Sequence, residues 1–308
     1  MKSVMKSAGL SRRQVLAGLA GGAVLVLAPE GVKAASVARI VTVGGAMTEI
    51  VYALGEGGKI VAVDTTSLFP RQVVADLPKV GYLRMLSTEG LLSTKPDLIL
   101  LDADAGPADV LDQLRRMGAP VAHFTEPPSA KSVIDKITFV GKSLNETAKA
   151  EEISQLYAAD LTQVEQVVAS LPQRPSVLFV MDAGATGLRG AGSGTAAAQM
   201  IDLAGGRNAF GDATGYKTVS SESALIANPD VILMMGQAID ALGGVDAVTA
   251  LPALAQLTAA RDRRIIGMDG NYLLGFGPRT AHAVRDLAAV LHPQSTVPAL
   301  PSRPWTSV

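Results

Sequence analysis

Short apolar runs and helix-spaced stretches alternate along most of this 308-residue chain. Residues 38–45, ARIVTVGG, form a β-branched run that stops at two glycines, as a strand buried on both faces does. In AMTEIVYALGEGGKIVAVD (46–64), Ile50, Val51 and Leu54 fall at helical spacing. That stretch predicts a helix with Thr48 as its N-cap, a glycine-rich stop and a second strand. Ser87 or Thr88 then caps a short helix, Lys95-Pro96-Asp97 ends it, and Leu98–Leu101 is another buried strand. Residues 108–118 read as an amphipathic helix closed by Gly118, and PVAHF (120–124) as the next strand. Helices alternating with apolar strands predict an α/β lobe with a parallel sheet.

The pattern changes after residue 131. No Gly or Pro occurs between Gly141 and Pro172, a span far longer than an ordinary helix. A second strand–helix series follows: a strand entering a Gly-rich loop over 174–184, a helix over 195–206, a strand over 263–270 and a helix over 280–292. The predicted fold is α/β, two Rossmann-like lobes with parallel sheets joined by one long α-helix. The expected boundaries are 35–142 and 173–292 for the lobes, 143–172 for the connector and 293–308 for an extended, proline-rich tail.

One unit occurs twice. VGYLRMLSTEGLLSTKPDLILLDA (80–103) is echoed by TGYKTVSSESALIANPDVILMMG (214–236). Aligning Ser87-Thr88-Glu89 on Ser220-Ser221-Glu222 superimposes Pro96-Asp97 on Pro229-Asp230, with Gly81-Tyr82 one residue out of step with Gly215-Tyr216. Two similar lobes place equivalent loops on opposite walls of a cleft.

Composition narrows the function classes. Hydrophobic residues make up 48% of the chain and charged residues 18%, with a net charge of −1, so there is no basic footprint for nucleic acid. Cysteine is absent, which removes disulfides, thiolate metal sites and cysteine nucleophiles. Residues 1–34 read as an export signal: Lys2, Lys6, Arg12 and Arg13 precede the apolar run 15–28, and Ser11-Arg12-Arg13-Gln14-Val15-Leu16 is similar to the twin-arginine pattern. The apolar run is too short to span a membrane, which takes roughly 20 residues. Those 34 residues carry five of the basic and one of the acidic side chains, which leaves 22 against 27, a net of −5, after cleavage.

The candidate chemistry sits in the repeat. Tyr82 and Tyr216 would face the cleft, with Arg84 and Lys217 beside them. A phenolate is a hard oxygen donor suited to Fe(III) and an established haem ligand. Because free tyrosine has a pKa near 10, ligation at neutral pH needs the metal's charge or a neighbouring cation, and Arg84 returns to the same side two residues along. The alternative is a Gly-Tyr turn whose ring packs on its own loop. Glu89 and Glu222 lie in the first turns of matching helices, where the dipole favours a carboxylate and a capping box is available. As a pair they would also mark the two tips of a bilobed molecule, suited to basic pockets on a symmetric partner. GAGSG (190–194) ahead of a helix is a weak anion-site signal. His123, His282 and His292 are scattered, without HExxH or GxSxG, so neither a zinc site nor a serine hydrolase is indicated.

The chain resembles the periplasmic haem-binding proteins of bacterial ABC importers, within the group that also captures ferric siderophores and cobalamin. The resemblance rests on RIVTVGGAMTEIVYALG, VGYLRMLSTEGLLSTKPDLIL, VLFVMDAG, TAAAQMIDLAGGRNAF, GYKTVSSESALIANPDVIL and LLGFGPRT, with VGYLR the most specific element. It implies that Tyr82 is the axial ligand of haem b carried as cargo, that Arg84 supports it, and that Glu89 and Glu222 engage arginines of the permease dimer. Some haem-binding relatives place a histidine after the VLFVM strand; here the loop reads Asp182-Ala183-Gly184. The implied iron is therefore five-coordinate, high-spin and ferric, with His123 the one remaining candidate sixth ligand. Arg84, Arg189, Tyr216 and Lys217 are the candidates for the haem pocket and its propionates. The expectation is a periplasmic, monomeric, non-enzymatic carrier. A siderophore or cobalamin carrier of the same fold, and a periplasmic enzyme, are the alternatives.

Overall fold

The computed structural model describes residues 37–184 and 187–306; the export signal expected at 1–34 lies outside them. The first lobe runs β1 (Ile40–Val43), α1 (Gly45–Ala53), β2 (Ile60–Val63), α2 (Arg71–Val74), β3 (Gly81–Tyr82), β4 (Met85–Leu86), α3 (Thr88–Leu92), β5 (Leu98–Leu101), α4 (Ala108–Arg116) and β6 (Val121–His123). Its main sheet is parallel, in the order β2-β1-β5-β6. β1 and β5 are buried along their whole length, which is why they read as unbroken apolar runs. β3 and β4 form a separate antiparallel hairpin, Tyr82 opposite Met85.

Thr48 is not the N-cap of α1. The helix begins at Gly45 after Gly44, whose φ of 101° suits glycine and whose Cβ, if present, would lie 2.6 Å from that of Asp102. Thr48 sits a turn inside, where its hydroxyl meets those of Thr42 at 2.6 Å and Ser67 at 2.8 Å in the core.

The connector expected at 143–172 is one helix of 23 residues, and a second helix stands immediately ahead of it. α5 (Ala130–Leu144) ends at Asn145 in the left-handed region, and α6 (Thr147–Ala169) follows at once. Asn tolerates that conformation and so can stop a helix without Gly or Pro. α6 buries Ala150, Ile153, Ser154, Tyr157, Asp160 and Val164, a single stripe at helical spacing, and packs on α5 and on the last helix.

The second lobe holds β7 (Ser176–Gly184), β8 (Gly187–Ala191), α7 (Ala196–Leu203), β9 (Arg207–Asn208), β10 (Tyr216–Val219), α8 (Ser221–Ala227), β11 (Val231–Met235), α9 (Gly236–Leu242), α10 (Val245–Thr249), α11 (Thr258–Arg261), β12 (Ile265–Met268), α12 (Gly270–Leu274) and α13 (Thr280–Leu291). β7, β11 and β12 are mutually parallel, as the apolar runs predict. The sheet continues as β10-β8-β7, with β8 antiparallel to both its neighbours, so it is mixed rather than wholly parallel. The register of β7 on β8 shifts between Val180 and Asp182, a bulge of the kind that re-aims side chains beside a site.

Residues 293–306 have no helix or strand but are not loose. Arg303 grips the buried carboxylate of Asp160 on α6 with both Nε (2.9 Å) and Nη2 (2.5 Å). Trp305 is buried and donates from Nε1 to the Pro278 carbonyl at 3.2 Å. No helix among the described residues is long and apolar enough to cross a membrane.

Candidate ligand-binding cleft

The carboxyl ends of the central strands from both lobes open onto one cleft of about 570 Å³. From the first lobe come the β1–α1 turn at Gly44–Ala46, the β3–β4 hairpin with Tyr82 and Arg84, and Asp102–Asp104 after β5. Met181, Arg189, Met235 and the segment around Asn271 supply the facing wall. The walls meet closely at the floor, where a Cβ on Gly45 would fall 2.1 Å from Asn271 Oδ1. Beneath it, Glu49 of α1 accepts from Arg279 Nε at 2.9 Å, Arg279 Nη2 at 2.6 Å and Asn271 Nδ2 at 2.7 Å. This buried pair ties the lobes together across 230 residues of sequence. Burial pushes the Glu49 carboxyl above its ordinary value, and Arg279 pulls it partly back.

Tyr82 lines the cleft with 44% of its surface exposed. Gly81 makes this possible: its φ of 111° turns the chain into the hairpin, and its carbonyl accepts from Thr65 N at 2.9 Å. Arg84 returns to the cleft two residues later and pairs with Asp104 at 2.5 Å. Burial works against the Arg84 charge, but Asp104, with smaller help from Tyr82 and Tyr216, outweighs it and raises the guanidinium above its ordinary value. Tyr216 is half-buried; burial raises its phenol, while Arg84 and Arg189 pull it back. The repeat thus brings both tyrosines within the electrostatic reach of Arg84.

Lys217 is not part of this group. On β10 it lies opposite Gly190, on the face of buried Val219 and Leu188, whereas Tyr216 shares its face with Arg189. His123 is not at the cleft either. It lies beside the backbone of Asp102 and Ala103, with neither ring nitrogen hydrogen-bonded, and burial, seconded by Arg115, lowers its pKa. The Gly192 and Ser193 amides of GAGSG donate to the Gly215 and Ala213 carbonyls, so they do not form an anion cradle. Among the described residues no cluster of three His, Asp or Glu side chains could hold a metal ion.

Glu89 and Glu222 are exposed in the first turns of α3 and α8. Ser87 and Ser220 are the caps, accepting from Gly90 N at 3.1 Å and Ser223 N at 3.0 Å. The glutamates therefore sit one residue too early to close capping boxes, and what favours a carboxylate there locally is the helix dipole. Beside Glu222, Leu225 and Ile226 expose apolar surface.

Residues 40–272 match the family described as Periplasmic binding protein. The chain belongs to the periplasmic binding protein family. Among solved structures similar to this family member is the periplasmic haem-binding protein RhuT of Roseiflexus sp. RS-1 in apo form. It is 38% identical with a TM-score of 0.80, the match covering 83% of this chain and 98% of that one. A periplasmic haem-binding protein from Pseudomonas aeruginosa is 32% identical with a TM-score of 0.76, covering 84% and 94%. The vitamin B12-binding protein of Vibrio cholerae is 28% identical over 255 residues, covering 82% of this chain and 88% of its own.

Sequence reasoning missed three charged groups of this binding protein's cleft: Asp104, the Lys136–Asp102 pair at 2.9 Å, and Glu49 with Arg279. Glu49 carried one signal, an acidic residue among Met47, Ile50 and Val51 on a helix buried on every side. The partners of all three come from loops and helices far away in sequence, which no local pattern reveals.

Proposed function

We propose that this protein captures haem in the interlobe cleft and delivers it to the permease dimer of an ABC importer. The observation that carries the reading is the half-exposed phenol of Tyr82 at the cleft, with the Arg84 guanidinium two residues away on the same hairpin. Relatives named as haem-binding at 38% and 32% identity support it. A cleft of about 570 Å³ is of a size to enclose much of a large flat ligand. Tyr82 would ligate ferric haem b, Arg84 would steady the phenolate, and Arg189 and Tyr216 would meet the rim of the macrocycle. His123, set behind the wall, leaves the iron five-coordinate.

Glu89 and Glu222 would dock onto basic sites of the permease, acting as a pair because they stand exposed at matching places in the two lobes. The protein would be exported through residues 1–34, by the twin-arginine route, and work as a monomer without turnover of its ligand. The vitamin B12-binding relatives favour cobalamin as the second reading. Isothermal titration against hemin, protoporphyrin, cobalamin and a ferric siderophore separates the two. Hemin should bind most tightly and metal-free protoporphyrin clearly less so; preferential binding of cobalamin would overturn the haem assignment.

A further inference from the structure

Each cation at the cleft is already paired with an acidic side chain: Arg84 with Asp104, Lys136 with Asp102 at 2.9 Å, and Arg189 with Asp182 at 3.6 Å. The pairs differ in burial. The side chains of Lys136 and Asp102 are 3% and 14% exposed, those of Arg84 and Asp104 51% and 50%. Separating the buried pair would strand an ion with no water to replace its partner. A half-exposed pair has little net strength, because water and salt compensate either ion on its own. Arg84 is therefore a cation that can change partner at small cost. A new partner is at hand, since Tyr82 lies two residues away on the same hairpin and both side chains reach the same cleft.

We propose that Asp104 is a positioning residue: it holds Arg84 before loading and gives it up to the Tyr82 oxygen once that oxygen carries negative charge on the ligand's iron. Asp104 then stands ready to retake Arg84 when the ligand leaves. It is an internal competitor that eases unloading; the phenol proton leaves to solvent as the iron–oxygen bond forms and is regained when that bond breaks. The inference rests on Tyr82 as the ligand of haem iron.

The test is hemin dissociation from the purified full-length protein into excess apomyoglobin, followed by absorbance, for wild type, D104N, D104E and D104N/R84Q beside R84Q. Removing a competitor of this strength should slow release from D104N by about two- to fivefold. D104E, which can still pair, should behave as wild type, and D104N should have no effect in the R84Q background. Release from D104N at the wild-type rate or faster, or an equal slowing when Arg84 is absent, would overturn the exchange. If wild type bound no hemin, the haem reading would fall and take this inference with it, whereas normal binding with an indifferent D104N would sink the exchange alone.

Discussion

At the residue scale, the buried carboxylate of Glu49 has its charge met by one guanidinium from the other lobe, Arg279, which also stacks 3.6 Å from the centre of the Phe69 ring. Removing one partner of a buried pair costs about 3–5 kcal/mol, since the remaining ion is left uncompensated. R279M should lose that much stability near neutral pH, as read from chemical denaturation. The pH dependence has a definite sign. A carboxyl whose folded pKa lies above its unfolded value holds its proton more tightly when folded, so its ionisation costs stability as pH rises through the folded value. Without Arg279 that value rises further, so R279M should recover part of its deficit relative to wild type on acidification toward about pH 5. A deficit that grows on acidification would contradict this picture. Residue-level chemistry was only partly legible in the sequence. Tyr82 and Arg84 stand out in the sequence because they belong to the repeated unit, and one tight hairpin, with Arg84 in its turn, brings both to the cleft. The face of Lys217 was not legible, because it depends on the register of β10 against β8, which local spacing does not encode.

At the element scale, α5 and α6 pack so closely that a Cβ on Gly141 would lie 2.3 Å from that of Ala150. Gly to Ala in an open helix normally stabilises by about 1 kcal/mol. Overpacking a tight contact costs about 1–3 kcal/mol, and the obstacle here is itself a short, unyielding side chain on a helix. The second effect should win, so G141A should unfold at lower denaturant than wild type; a gain in stability would show that the helices can separate freely. The long helical span was legible from its lack of Gly and Pro. Where the connector begins was less so, because Asn145 stops α5 through a left-handed conformation that Asn adopts only in some contexts. β8 escaped notice for a related reason: GLRGA is glycine-rich, and pairing with β7 and β10 makes it a strand.

At the scale of the whole molecule, the last described residues bind distant parts of the fold together, Arg303 on α6 and Trp305 under the loop at Pro278, next to Arg279. W305A should therefore cost about 3–5 kcal/mol, the usual penalty for truncating a large buried aromatic, whereas wild-type stability would mean that the tail merely drapes over the surface. Proline content says nothing of this packing, which rests on two side chains meeting partners 143 and 27 residues away. The two-lobe plan was legible because one unit is written twice, and the cleft between the lobes followed from it. The central claim is that the Tyr82 oxygen binds ferric porphyrin iron in that cleft. Absorption spectra of the purified protein and Y82F, each titrated with hemin, test it most directly. Wild type should show a ferric phenolate charge-transfer band, and Y82F, which keeps the ring and loses only the oxygen, should lack the band and bind about tenfold more weakly or worse. The same band at the same intensity in Y82F would contradict the account.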